Sequence, residues 1–127
     1  MITCVGSVFI DRVIKVNNIP HKPIKIIGHK IEKRLGGSAT IASFTIAKLG
    51  ACSEFVGRFG SDSDLKFIKS EFNKFNISFA KSQVIKNAHT SQSHILEDIK
   101  GERLLAAYND KKLFLKKKLP KFIFSKK

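Results

Sequence analysis

The chain has 127 residues, 43% hydrophobic and 27% charged, the composition of a packed domain and not of a disordered tail. Twenty lysines and four arginines against ten acidic residues give a net charge of +14. No apolar run approaches the roughly 18–20 residues of a membrane-spanning helix, and Cys4 and Cys52 stand in no metal-binding or redox spacing.

Such a charge points first to a polyanion partner. Arginine, the residue suited to bidentate phosphate and guanine contacts, occurs only at Arg12, Arg34, Arg58 and Arg103. The lysines are scattered, apart from Lys111-Lys112 and Lys116-Lys117-Lys118. With Ile, Phe and Asn plentiful and Trp absent, compositional drift explains the charge better than nucleic-acid binding. Met1 to Gly6 lacks a basic n-region and reads as a first strand, not a signal peptide. With so few cysteines, the expectation is a reducing, cytoplasmic setting.

In chain order, Met1 to Ile10 reads as a buried strand with Asp11 at its C-terminal end. Val13 to Leu35 carries Pro20, Pro23 and Gly28 and predicts short, partly exposed strands. Gly36-Gly37 then opens a helix from about Ser38 to Leu49, with Ala39, Ala42, Ile46 and Leu49 on one stripe and Gly50 as its stop. Ser53 to Val56 predicts a strand, and Gly57 and Gly60 bound a loop. A second helix starts at Ser61 or Asp62, either able to cap it, and presents Leu65, Ile68, Phe72 and Phe75 on one face up to Asn76. Ile77–Val84, Thr90–Glu97 and Arg103–Tyr108 are strand-like, the last two joined as a hairpin. Asn109 to Lys127 is basic and without strong period. Strands alternating with helices predict an α/β sheet with crossover connections.

Three features converge on one end of such a sheet: Asp11 after the first strand, Gly36-Gly37 at the first helix, and Gly57 to Asp62 before the second. Ligands in open α/β sheets bind beyond the carboxyl ends of the strands. Paired glycines let backbone approach a ligand and leave N–H donors free, and a carboxylate accepts hydrogen bonds from hydroxyls. The combination suits a small polyhydroxylated molecule. The plainer readings are a strand-end turn for Asp11, a tight turn for the glycines and a helix cap for Asp62. Arg103 and Glu102 read as a surface hairpin feature, and His21, His29, His89 and His94 have no ligand spacing.

These residues resemble the N-terminal half of the ribokinase/PfkB family of carbohydrate kinases. The resemblance rests on Cys4-Val5-Gly6 with Asp11, Ile19-Pro20, Gly36 through Ala42, Ala47 through Ala51, Val56 through Asp62, and Gly101-Glu102-Arg103, and runs from residue 2 to about 110. It implies a ribokinase-like open sheet with flanking helices and a small β lid over about 12–35, truncated before the C-terminal half, with 110–127 as a basic tail. It also implies ATP- and Mg2+-dependent phosphorylation of a sugar hydroxyl. Asp11 would bind substrate hydroxyls, and Gly36 and Gly37 would line the sugar pocket. The lid would exclude water from the reaction and could mediate a homodimer.

Two departures stand in the motifs. Ile41 occupies the position where the family usually has an Asn facing the substrate, so sugar recognition is altered or lost there. Leu65 stands where the family favours Gly. The Gly-Ala-Gly-Asp type motif that supplies the base and the phosphate-binding turn is absent from the sequence, as are the nucleotide-holding segments. The expectation is a chain inactive by itself, marginally stable, and either completed by a C-terminal chain or a non-catalytic sugar-binding or interaction remnant.

Overall fold

The computed structural model describes residues 1–114. Its first two strands are β1 (Ile2–Val5) and β2 (Phe9–Lys15). The single strand expected over Met1–Ile10 is therefore two, and Asp11 lies inside β2, not at the end of the first strand. Gly6 and Ser7 make the break: a Cβ at Gly6 would stand 2.7 Å from the Ala39 Cβ, so the crossing needs glycine. Next come β3 (Lys30–Gly36), α1 (Ser38–Lys48), β4 (Ser53–Val56), β5 (Arg58–Gly60) and α2 (Asp64–Lys74). β6 (Gln83–Ile85), β7 (Ser91–Glu97), β8 (Arg103–Tyr108) and a 3-10 turn at Lys111–Leu113 complete the described chain.

Two regions result. In the body, β1 runs parallel to β4 and β5 parallel to β6, with α1 and α2 alongside. The arm is a four-stranded sheet of order β3-β2-β7-β8, in which only the β2–β7 pair is parallel. The strands expected over about 12–35 thus share a sheet with two strands from residues 91–108. Sequence proximity hid this, because β2 pairs with β3 locally and with β7 across the chain. The hairpin between β7 and β8 forms as expected: the Asp98 carboxylate accepts the N–H groups of Lys100 and Glu102 at 2.9 and 3.0 Å, and Gly101 takes φ +84°.

The core of the body is aromatic. Phe55, Phe59 and Phe72 are fully buried, and Phe44, Phe75 and Phe79 join them, with ring centroids 5.0–6.3 Å apart. The spacing read along α2 brings Ile68 and Phe72 into this cluster with Leu65 against it, while Phe75 ends the helix 37% exposed. α1 departs from expectation. Its buried side is Thr40 and Ser43, with Ala39, Phe44 and Ala47 against the core, while Ala42 is exposed and Leu49 is 81% exposed. Small hydroxyl residues and apolar residues are mixed around the whole helix, so periodicity could not select a face. Two small hydroxyl residues allow close approach: Thr40 donates to the Ser7 carbonyl at 3.3 Å and Ser43 to the Thr40 carbonyl at 2.8 Å.

α2 spans Asp64–Lys74, but Ser63 already has helical angles and makes no side-chain cap bond, and the capping group is the Asp62 carboxylate, one of the two the sequence offered. It accepts the Asp64 N–H at 3.2 Å, and it also accepts the Thr90 N–H at 2.6 Å and the Thr90 hydroxyl at 3.0 Å, tying this loop to the start of β7. The strand expected over Ile77–Val84 shrinks to a bridge from Ser78 to Glu54 and to β6, because Ile77 turns inward to the core. The loop expected between Gly57 and Gly60 is the short strand β5, paired with β6. Beyond the 3-10 turn, the basic tail and Leu119-Pro120 lie outside the described residues.

Candidate functional site

β2 carries Asp11 with Arg34 directly opposite on β3 and Ser93 directly opposite on β7. Alternation puts Asp11, Arg34, Gly36 and Ser93 on one face of the arm. Gly36 is the diagonal neighbour of Asp11, and the carboxylate lies over it. A Cβ at Gly36 would stand 2.3 Å from Oδ2 and 2.8 Å from Oδ1. No other residue type leaves Asp11 in that place. The structure therefore brings together two of the residues singled out in the sequence, across 25 positions of chain, without any glycine flexibility being used (Gly36 has no positive φ).

Gly37 does something different. It takes φ +97° at the N-cap of α1, and its missing Cβ clears the Ser7 carbonyl, 2.4 Å away, not Asp11. Its carbonyl accepts the Ile41 N–H at 2.9 Å in the first turn of the helix. Gly37 thus shapes the turn that follows the site. Ile41 itself is 58% exposed, as an apolar residue without cover on the first turn of α1.

The electrostatics leave Asp11 open. Burial pushes its carboxyl above the usual value, and the Ser93 hydroxyl with the charges of Arg34 and Arg103 only partly offsets this. The cations nearby are committed elsewhere. Glu97 holds Lys15 at 2.8 Å, Arg34 at 3.3 Å and Arg103 at 3.7 Å. Glu32 takes Lys30 at 3.0 Å and reaches Arg34 at 3.7 Å. Among the described residues no ion pair includes Asp11. A half-buried carboxylate with unspent acceptor capacity, beside a hydroxyl and above bare backbone, can receive hydrogen bonds from a neutral polyhydroxylated ligand.

Sequence reasoning missed Ser93, Arg34 and Glu97. The first two became visible only through register, since nothing local marks a serine as the rung partner of an acid 82 residues earlier. Arg103, read as a surface feature, turns across the hairpin to Glu97. Among the described residues no group of three or more His, Cys, Asp or Glu side chains is placed to hold a metal ion, and no helix is long and apolar enough to cross a membrane.

Comparison with known proteins follows from this geometry. The fold is similar to that of a ribokinase-type protein from Agrobacterium tumefaciens, with a TM-score of 0.84 and 24% identity over 93% of this chain. Ribokinase from Arabidopsis thaliana, solved with ribose and ATP, gives 0.71 and 20% over 85%. A nucleoside kinase from Methanocaldococcus jannaschii gives 0.71 and 24% over 85%. The chain spans only 39%, 35% and 36% of those three proteins. At such identities the likeness establishes the ribokinase-like fold. Membership rests on the sequence itself, whose residues 1–124 match the profile of the pfkB family carbohydrate kinase. The chain belongs to the pfkB family of carbohydrate kinases.

Proposed function

We propose that this chain is the sugar-binding part of a PfkB-type kinase domain, acting on a sugar or sugar-like hydroxyl compound and inactive by itself. The single observation that supports this most directly is the Asp11 carboxylate lying over Gly36, with Ser93 beside it and no cation of the described residues paired to it. In this reading Asp11 accepts hydrogen bonds from substrate hydroxyls. Gly36 lets the sugar ring approach the backbone, and Gly37 holds the turn that carries Ile41. Replacing a polar contact by Ile41 weakens recognition of one hydroxyl, because an apolar side chain leaves it unpaired. The arm closes over the bound sugar and keeps water from the reacting hydroxyl.

The family implies ATP and Mg2+ as cofactors. The described residues do not fit them. The cations near Asp11 are tied to Glu97 and Glu32, and the sequence has no Gly-Ala-Gly-Asp run. No step through the nucleotide is derived from these residues. The phosphoryl-transfer apparatus then belongs to a complementing C-terminal segment. β1, whose Ile2 and Val5 are exposed, pairs on one side only among the described residues, and its other edge is where such a segment would add. A cytoplasmic location goes with this reading.

A homodimer through the arm is part of the proposal. The face of the arm opposite Asp11 carries Ile14, Ile31, Leu104 and Ala106 around a hollow of about 540 Å3. Exposed apolar residues grouped this way favour burial against a second arm. Sedimentation of the purified chain measures it, and a monomer at all concentrations refutes it.

NMR titration of the chain with ribose and a panel of other sugars tests the main reading. Shifts clustered at Asp11, Gly36 and Ser93 support it, and no shift with any sugar defeats it. Steady ATP-dependent phosphorylation by the chain alone would defeat the claim of inactivity. The second reading, a non-catalytic sugar-binding or interaction remnant, is favoured by Ile41 in the place of a polar contact. It gains if sugar binds yet no complementing segment restores turnover.

A further inference from the structure

We propose that Asp64, on the first turn of α2, is a latch that fixes the arm against the body and so sets where Asp11, on the arm, stands relative to α1 and Ile41, on the body. This rests on the proposed role of Asp11 in binding sugar. Asp64 is nearly buried, its side chain 11% exposed, and both of its oxygens are taken by the arm. Oδ2 accepts from Arg12 Nη2 at 2.8 Å, and Oδ1 lies 2.7 Å from Lys33 Nζ. Arg12 and Lys33 are not independent partners. They are the directly opposed residues of the β2–β3 ladder, so one carboxylate grips one rung by both ends. The Lys33 ammonium also stands 4.5 Å from the centre of the Phe67 ring on α2, which fixes its direction.

The rung it grips is adjacent to the site. Arg12 and Lys33 follow and precede Asp11 and Arg34 and point to the opposite face. Movement of the first rung is movement of the second. Two of the crossings between arm and body carry glycine, Gly6 between β1 and β2 and Gly37 between β3 and α1, while the crossing from β6 to β7 has none and is tied at Thr90 to Asp62. Connections of that kind resist rotation poorly, and side-chain contacts must then set the angle of the arm. Ile10 and Leu35 contribute apolar contact near those crossings. Asp64 supplies the directional contact farther out. Burial pushes the Asp64 carboxyl up, but hydrogen bonds from Lys33 and Arg12 and their charges outweigh it, so the net position is below the usual value, as a committed ion pair requires.

Asp64→Asn removes the charge and keeps the shape. The expected result is a loss of about fivefold or more in ribose affinity, with faster amide hydrogen exchange in β2 and β3 and unchanged exchange in α2 and β4. Asp64→Glu restores part of both. Lys33→Met, at a side chain 41% exposed and outside the core, is the variant that reports if Asp64→Asn does not fold, and a smaller shift in the same direction is expected. A merely structural Asp64 would speed exchange everywhere and leave the affinity of the folded fraction unchanged, and that outcome overturns the proposal. So do unchanged affinity and unchanged exchange in both variants. If neither the parent nor any variant binds sugar, the sugar-binding reading fails, and exchange confined to β2 and β3 still decides whether Asp64 is a latch.

Discussion

The two faces of the β2–β3 ladder carry two aspartates in opposite electrostatic conditions. Asp11 sits half-buried over backbone, without an ion pair among the described residues, and its carboxyl is pushed up by burial. Asp64 reaches the other face from α2, is gripped at both oxygens by Arg12 and Lys33, and ends below its usual value. Both lose hydration. Only one is repaid within the chain. The difference separates a group kept available for a ligand from a group consumed by the fold. It also shows how a nearby surplus of positive charge can leave an acid free, since Glu97 gathers Lys15, Arg34 and Arg103 to itself.

The largest change comes from the core of the body. Phe72→Ala removes a fully buried ring that contacts Phe44, Phe55, Phe59 and Phe79, and costs about 3–5 kcal/mol. Thermal unfolding followed by circular dichroism is expected to lose its cooperative transition. Gly36→Val breaks the Asp11 face alone: its side chain occupies the place of the carboxylate, costs about 1–3 kcal/mol, and removes detectable ribose binding by calorimetry. Asp11→Asn sharpens the contrast. It removes the charge that burial disfavours, so the melting temperature rises slightly while ribose affinity falls, a trade that Asp64→Asn must not show.

Acid titration separates the two groups by sign. Asp64 has a lowered folded value, so its contribution to stability is present above the ordinary carboxylate value of 3.8 and is lost as the pH falls through the lower folded value. Asp11 has a raised folded value, so its ionised form costs stability above that value, and acid relieves the cost first. Unfolding free energy against pH is therefore expected to have a shallower acid limb in Asp64→Asn, with Glu32, Glu97 and Asp110 still contributing, and to gain nothing from initial acidification in Asp11→Asn. The smallest effect belongs to Ile41→Asn. At an exposed helix position it changes stability by no more than about 0.5 kcal/mol. Ribose affinity, measured by the same titration, is expected to increase modestly.

Much of the fold was legible because local rules agreed with the final packing. α2 could be read from Leu65, Ile68 and Phe72, the hairpin from Asp98 to Glu102, and the end of α1 from Gly50, which takes φ +84°. α1 was misread because Ala39, Ala42, Ile46 and Leu49 are no more apolar than the side that contains Phe44 and Ala47. The helix start after Gly60 was legible in Asp62, but not that the same carboxylate also binds Thr90, a partner 28 residues away. At the site, Asp11 and the paired glycines stand out in the sequence, yet the division of labour between Gly36 and Gly37 does not.

By itself the sequence determined the family, the alternation of strands and helices, and the acid and glycines that mark the candidate site. Those features depend on residue type and short spacing, and both are written along the chain. Tertiary structure alone decided that Ser93 and Arg34 flank Asp11, that Glu97 draws the cations away, and that Asp64 holds the rung beneath. Each depends on strand register, and register is set by the packing of whole faces against a common core, where residues up to 82 positions apart become neighbours.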